Sequence, residues 1–165
     1  MPLLATMTTP KTLILGLGNP ILGDDGVGWK VAEVVKSQLP ALGQYVEVDF
    51  ASLGGLSLME RMLGYPHVIL IDCIETGRVP VGSVRVMPLS DLENPMAGHS
   101  ASAHDTSLLN ALEAARSMGS EIPARVDVVT IEAKASYDFS EELSPTIAAA
   151  VPVATQQVLT LLKLA

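Results

Sequence analysis

Three aspartates and a histidine carry most of the chemistry that the residue types of this chain allow. Asp24 and Asp25 are adjacent and follow an apolar run closed by the glycine-rich turn Gly16-Leu17-Gly18-Asn19-Pro20. Neighbouring carboxylates repel, and only one of them can cap a helix, so the other needs a solvent-facing or functional reason. Asp72 ends the continuous apolar run His67-Val68-Ile69-Leu70-Ile71. A charge there is costly unless it reaches water, a hydrogen-bond partner or a metal. His104 lies at the end of a long stretch of small residues that leads into a helical pattern. Two carboxylates and an imidazole form a mixed oxygen and nitrogen set, which binds a divalent transition metal while leaving coordination positions open. Mg or Ca would not need the imidazole.

Each residue also has a simpler reading. An aspartate just before a helix is often only a cap. His104 can be a surface residue of a first helical turn, and His99, set among Gly98, Ser100 and Ala101, is the poorer ligand. His67, after Pro66, reads as a strand-entry residue, and Cys73, with no basic neighbour in sequence to lower its pKa, as a buried thiol. Neither a G-x-S-x-G elbow nor an H-E-x-x-H pair is present, which removes the usual serine-hydrolase and zinc-protease signatures. Gly16-Leu17-Gly18 begins like a dinucleotide-binding loop, but the third glycine of that fingerprint falls on Ile21. Asp24 and Asp25 stand where a pyrophosphate would need bare N–H groups and a positive helix end. The corner suits a cation.

The elements that must position these residues follow from periodicity. Thr12 to Leu17 reads as a buried strand, and Val27 to Leu39 as a helix with Val27, Val31, Val34, Val35 and Leu39 on one face, closed by Pro40. Tyr45 to Phe50 is a second strand, followed by the turn Ser52-Leu53-Gly54-Gly55 and a short helix over Leu56 to Leu63. The run from His67 to Asp72 has the character of a central parallel strand covered on both faces. Val84 to Met87 and Arg125 to Ile131 are further strands, and Ser90 to Ala103 a long loop. Asp105 to Met118 is expected as a helix with Leu108, Leu109, Leu112, Ala115 and Met118 inward. Ser144-Pro145 opens a last helix, with Ser144 as N-cap, an inward face of Ile147, Val151, Val158, Leu159 and Leu162, and a kink at Pro152. Alternating strands and helices predict a single α/β domain over residues 11–165, a mostly parallel twisted sheet of about five strands with helices on both faces, after a flexible tail over 1–10. In such sheets ligands sit beyond the carboxyl ends of the strands. Asp25, Asp72 and the loop before His104 all belong to that edge.

Composition narrows the class. The 165 residues are 48% hydrophobic and 17% charged, with a net charge of -8, which disfavours nucleic acid and anionic lipid as partners. Hydrophobic runs are strand-length, so no membrane span is expected. The single cysteine cannot form an internal disulfide, which points to the cytoplasm.

The residues Gly16-x-Gly18-Asn19-Pro20 with Asp24-Asp25-Gly26-x-Gly28, Val68-Ile69-Leu70-Ile71-Asp72, Ser102-Ala103-His104-Asp105 and Leu143-Ser144-Pro145 carry a further observation. In this order and spacing the chain resembles the nickel-iron hydrogenase maturation endopeptidases over nearly its whole length. The resemblance implies removal of a C-terminal extension from a hydrogenase large-subunit precursor. It places the family's metal-binding and catalytic residues on Asp25, Asp72 and His104, with nickel brought by the precursor. Asp24 becomes a cap or a supporting group. The family often has glutamate where this chain has Asp25, one methylene shorter, and a Gly-x-Glu-Pro-like sequence where it has Ile131-Glu132-Ala133. A non-enzymatic nickel-binding or precursor-checking module with the same ligands is the alternative implied.

Overall fold

The computed structural model describes residues 11–42, 45–52, 54–92, 100–136 and 138–163, the side chains of 42 and 100–107 not among them. The tail expected over 1–10, Leu53 in the expected turn, and His99 lie outside the described residues. Five strands form one sheet: β1 (Thr12–Leu17), β2 (Val46–Ala51), β3 (His67–Ile74), β4 (Val84–Pro88) and β5 (Arg125–Glu132), in the order β2-β1-β3-β5-β4. All pairings are parallel except β4 with β5. The helices are α1 (Val27–Ser37), α2 (Leu39–Leu42), α3 (Gly55–Met62), α4 (Ser100–Ser117) and α5 (Pro145–Lys163). A 3-10 turn over Gly23–Gly26 leads directly into α1.

Strand alternation divides the buried side chains between the two faces. Ile14, Ile69, Ile71, Val129 and Ile131 pack with Val27, Val31 and Val35 of α1 and with Ile147, Ala154 and Val158 of α5. Leu13, Leu15, Val68, Leu70 and Val128 pack on the other face with Leu58 and Met62 of α3 and Leu108 and Leu112 of α4. The α/β class and the helices on both faces are as the sequence predicts. α5 has the length and hydropathy of a membrane span, but its inner face is committed to this core.

Several boundaries differ. α1 ends at Ser37, and Pro40 lies inside the separate α2 rather than closing α1. Val34, Leu109 and Met118, expected inward, are exposed, and small residues take the inner places: Ala32 in α1, Ala111 in α4, Ala150 and Ala154 in α5. A helix lying close on a sheet needs short side chains at the contact, which an apolar count overlooks. β3 runs two residues past Asp72, because β5 pairs with it as far as Ile74↔Glu132. α4 starts at Ser100, so His104 belongs to the helix itself, not to the loop before it.

Candidate functional site

The strand order makes the site. Leaving β1 the chain crosses to β2 on one side, and leaving β3 it proceeds to β4 and β5 on the other. The crevice between the carboxyl ends of β1 and β3 is therefore the switch point of the sheet, where ligands bind in open α/β folds. Asp25 follows β1 and Asp72 lies near the end of β3.

Backbone contact brings α1 unusually close to that crevice. A Cβ on Gly28 would collide with the carbonyl oxygens of both Leu17 and Ile71, so the first turn of α1 rests on the ends of the two strands at once. Gly18, at φ +120°, passes so near the Asp25 carbonyl that a side chain would not fit there either. The 3-10 turn consequently packs against β3. Within it, the Asn19 N–H donates to Asp25 Oδ2 at 2.8 Å. Oδ1 of Asp25 makes no hydrogen bond among the described residues.

Asp72 is only 8% exposed, and its Oδ1 accepts the N–H of Cys73 at 2.9 Å. It shares its strand parity with Val68 and Leu70, so it lies on the α3/α4 face. The helix carrying His104 covers that face; the His104 side chain lies outside the described residues. Asp25 and Asp72 act on one group. Burial pushes the Cys73 thiol strongly up, and the charges of Asp72, Asp25, Asp24 and Glu132 push it further. Among the described residues no three His, Cys, Asp or Glu side chains converge as a metal site. The two placed candidates supply oxygen donors at adjacent strand ends, a donor set that fits a transition metal once an imidazole joins it.

Asp24 does something different from its neighbour. Its carboxylate accepts the Ser144 N–H at Oδ1 (2.7 Å) and the Ser144 hydroxyl at Oδ2 (2.9 Å). Ser144 precedes Pro145, the first residue of α5, as the sequence indicates, but its hydroxyl is turned to Asp24.

Glu132 was not among the candidates. It ends β5, is 2% exposed, and its carboxylate accepts the N–H groups of Thr76 and Gly77 (2.7 and 2.8 Å) and the Thr76 hydroxyl. Arg85 Nη2 stands 3.8 Å away. It thereby holds the connection leaving β3, two residues beyond Ile74. The rule that singles out Asp72, an acid at the end of a buried strand, applies equally to Val128-Val129-Thr130-Ile131-Glu132. Beside it a cavity of about 300 Å³ is lined by Ile74, Thr76, Arg78, Arg85, Met87 and Leu92, among others. His67 sits at the opposite, amino edge, where its Nε2 is 2.7 Å from Asp127 Oδ2, as a strand-entry residue should be.

The family model described as hydrogenase maturation protease matches residues 43–161. The chain is 29% identical over 154 residues to the hydrogenase 2 maturation protease of Escherichia coli, covering 93% of this chain and 91% of that one. The structure of the hydrogenase maturating endopeptidase HybD from E. coli superimposes with a TM-score of 0.75 at 28% identity, over 93% of this chain and 92% of that one. A hydrogenase 2 maturation peptidase from a Thaumarchaeota archaeon gives 0.65 at 28% identity, over 94% and 99%. This chain, a five-stranded α/β domain, belongs to the hydrogenase maturation protease family and is a protease.

Proposed function

We propose that this protease removes the C-terminal extension of a nickel-loaded [NiFe] hydrogenase large-subunit precursor, in the cytoplasm, and that Asp25, Asp72 and His104 read the precursor's nickel. The observation that carries this reading is the adjacency of β1 and β3, with Asp25 following one, Asp72 near the end of the other, and α4 packed on the sheet face to which Asp72 belongs. Nickel is part of the substrate here. Held jointly by precursor and protease, it would polarise a scissile carbonyl or lower the pKa of an attacking water.

The chain's own contribution is placement. The Asn19 N–H orients the Asp25 carboxylate through Oδ2, and the Cys73 N–H orients that of Asp72 through Oδ1. Each carboxylate therefore enters the crevice with one oxygen already anchored, which cuts the freedom lost when substrate binds. Asp25 and Asp72 are also the acids available at that edge to take a proton from water.

The test is cleavage of nickel-loaded against nickel-free precursor, followed as the mass of the large subunit. The loaded form is expected to be cut and the nickel-free form spared. Asp25→Asn and His104→Ala should each slow cleavage by roughly 100-fold or more. Equal cleavage of both precursors, or undiminished cleavage by both variants, would overturn the reading.

A further inference from the structure

We propose that Asp24 is a positioning residue: its two-point hold on Ser144, at the start of α5, fixes the 3-10 turn that presents Asp25. This rests on the reading of Asp25 as a metal-reading carboxylate.

Both oxygens of Asp24 are taken by one residue, Oδ1 by the Ser144 N–H and Oδ2 by its hydroxyl. A carboxylate used in this way is a strut. Its location agrees with that role, since a negative charge at the start of a 19-residue helix is favoured by the aligned peptide dipoles. The hold is not isolated. The Gly23 N–H donates to the Ser140 carbonyl at 2.7 Å, and the Ser140 N–H donates to the Ile21 carbonyl at 3.0 Å. Residues 21–24 are thus stitched along the segment that enters α5, with Leu22 and Ser140 bridged in parallel.

From the inner side the same turn is held by the Asn19 N–H on Asp25 Oδ2 and by the Asp25 N–H on the Leu22 carbonyl, at 3.2 Å. Asp25 therefore stands in a four-residue turn gripped on both flanks. One grip comes from the loop leaving β1 and the other from the segment that enters α5. Four residues of 3-10 helix have little stability of their own, so where Asp25 rests depends on both grips, the outer one included. An ångström of misplacement at a reacting centre can cost about 100-fold in rate.

The experiment compares Asp24→Ala, Asp24→Asn, Ser144→Ala and the Asp24→Ala/Ser144→Ala double variant in precursor cleavage, with kcat and KM resolved and thermal unfolding measured in parallel. Asp24→Ala is expected to lower kcat roughly 10- to 100-fold with KM within about threefold. Asparagine keeps an oxygen for the Ser144 N–H and offers an NH2 to the hydroxyl, so Asp24→Asn should recover to within about threefold of the parent. Ser144→Ala removes one of the two contacts and should cause a smaller fall. The double variant should be no worse than Asp24→Ala alone, because both changes cut the same connection.

Asp24→Asn as inactive as Asp24→Ala would overturn the proposal in favour of a direct ligand or base. So would full activity in Asp24→Ala, or additive losses in the double variant. Should Asp24→Ala fail to fold, Asp24→Asn and Ser144→Ala still decide. If Asp25→Asn cleaves normally, the reading of Asp25 itself has failed; if Asp25→Asn is inactive while Asp24→Ala is normal, only the positioning role has.

Discussion

Cys73, beside Asp72 in β3, is a nucleophile that its surroundings disarm. Burial, then the charges of Asp72, Asp25, Asp24 and Glu132, raise its pKa from an ordinary value of 9.0, which keeps the thiol neutral and poorly nucleophilic. Native protein at pH 8 should therefore resist alkylation by iodoacetamide, while unfolded protein reacts, and Cys73→Ala should cleave precursor within about threefold of the parent. The same shift makes a statement about stability. A group whose pKa is higher in the folded state contributes fully below the unfolded value and loses that contribution as pH rises beyond it. Urea midpoints of the parent should fall faster above pH 9 than those of Cys73→Ala. Asp72→Asn offers the complementary case, since the amide keeps an oxygen for the Cys73 N–H but gives up the charge. Its stability should be close to that of the parent, and its cleavage roughly 100-fold or more slower.

At the scale of elements, the site depends on how closely α1 lies upon β1 and β3. Gly28→Ala would drive a methyl group into two backbone carbonyls at once, and neither can rotate away as a side chain could. A loss of about 1 to 3 kcal/mol in unfolding free energy is expected, with reduced cleavage by the fraction that folds. Glycines 16, 18, 26 and 28 were legible as a tight corner in the sequence, and so was the order of strands and helices, because each depends on local pattern. Less local features were not. That β3 continues to Ile74 is decided by β5, whose partner residues lie nearly 60 positions away. The first residues of α4, Ser100 to His104, are small or polar and carry no apolar period, so the helix start could not be read from them. Asp24 could be suspected as a cap, but nothing near it in sequence names Ser144 as its partner. Glu132 was legible by the argument used for Asp72; what could not be read was its hold on the Thr76–Gly77 turn.

Taken whole, the molecule has polar ties at both edges of the sheet, those of the carboxyl edge beside the candidate site and those of the amino edge away from it. At the amino edge His67 and Arg125 meet Asp127, their strands in register, with the His67 and Asp127 side chains largely buried. Removing His67 takes one of two partners from a buried carboxylate that keeps Arg125, a cost of about 1–3 kcal/mol. His67→Ala should therefore lower the melting temperature by roughly 3–10 °C while the folded protein cleaves at the parental rate. Unfolding scans beside initial rates at low temperature would check this. The carboxyl edge is completed late in the chain, because Ser144 stands 120 residues after Asp24. During synthesis the two aspartates leave the ribosome long before Ser144, and a domain whose core includes α5 folds as a unit only after that helix has emerged. A nascent or prematurely ended chain thus carries its acids in an unbraced turn. On the proposed role of Asp24, the working turn is complete only once the closing helix has been made, and chains truncated before Ser144 are expected to cleave no precursor.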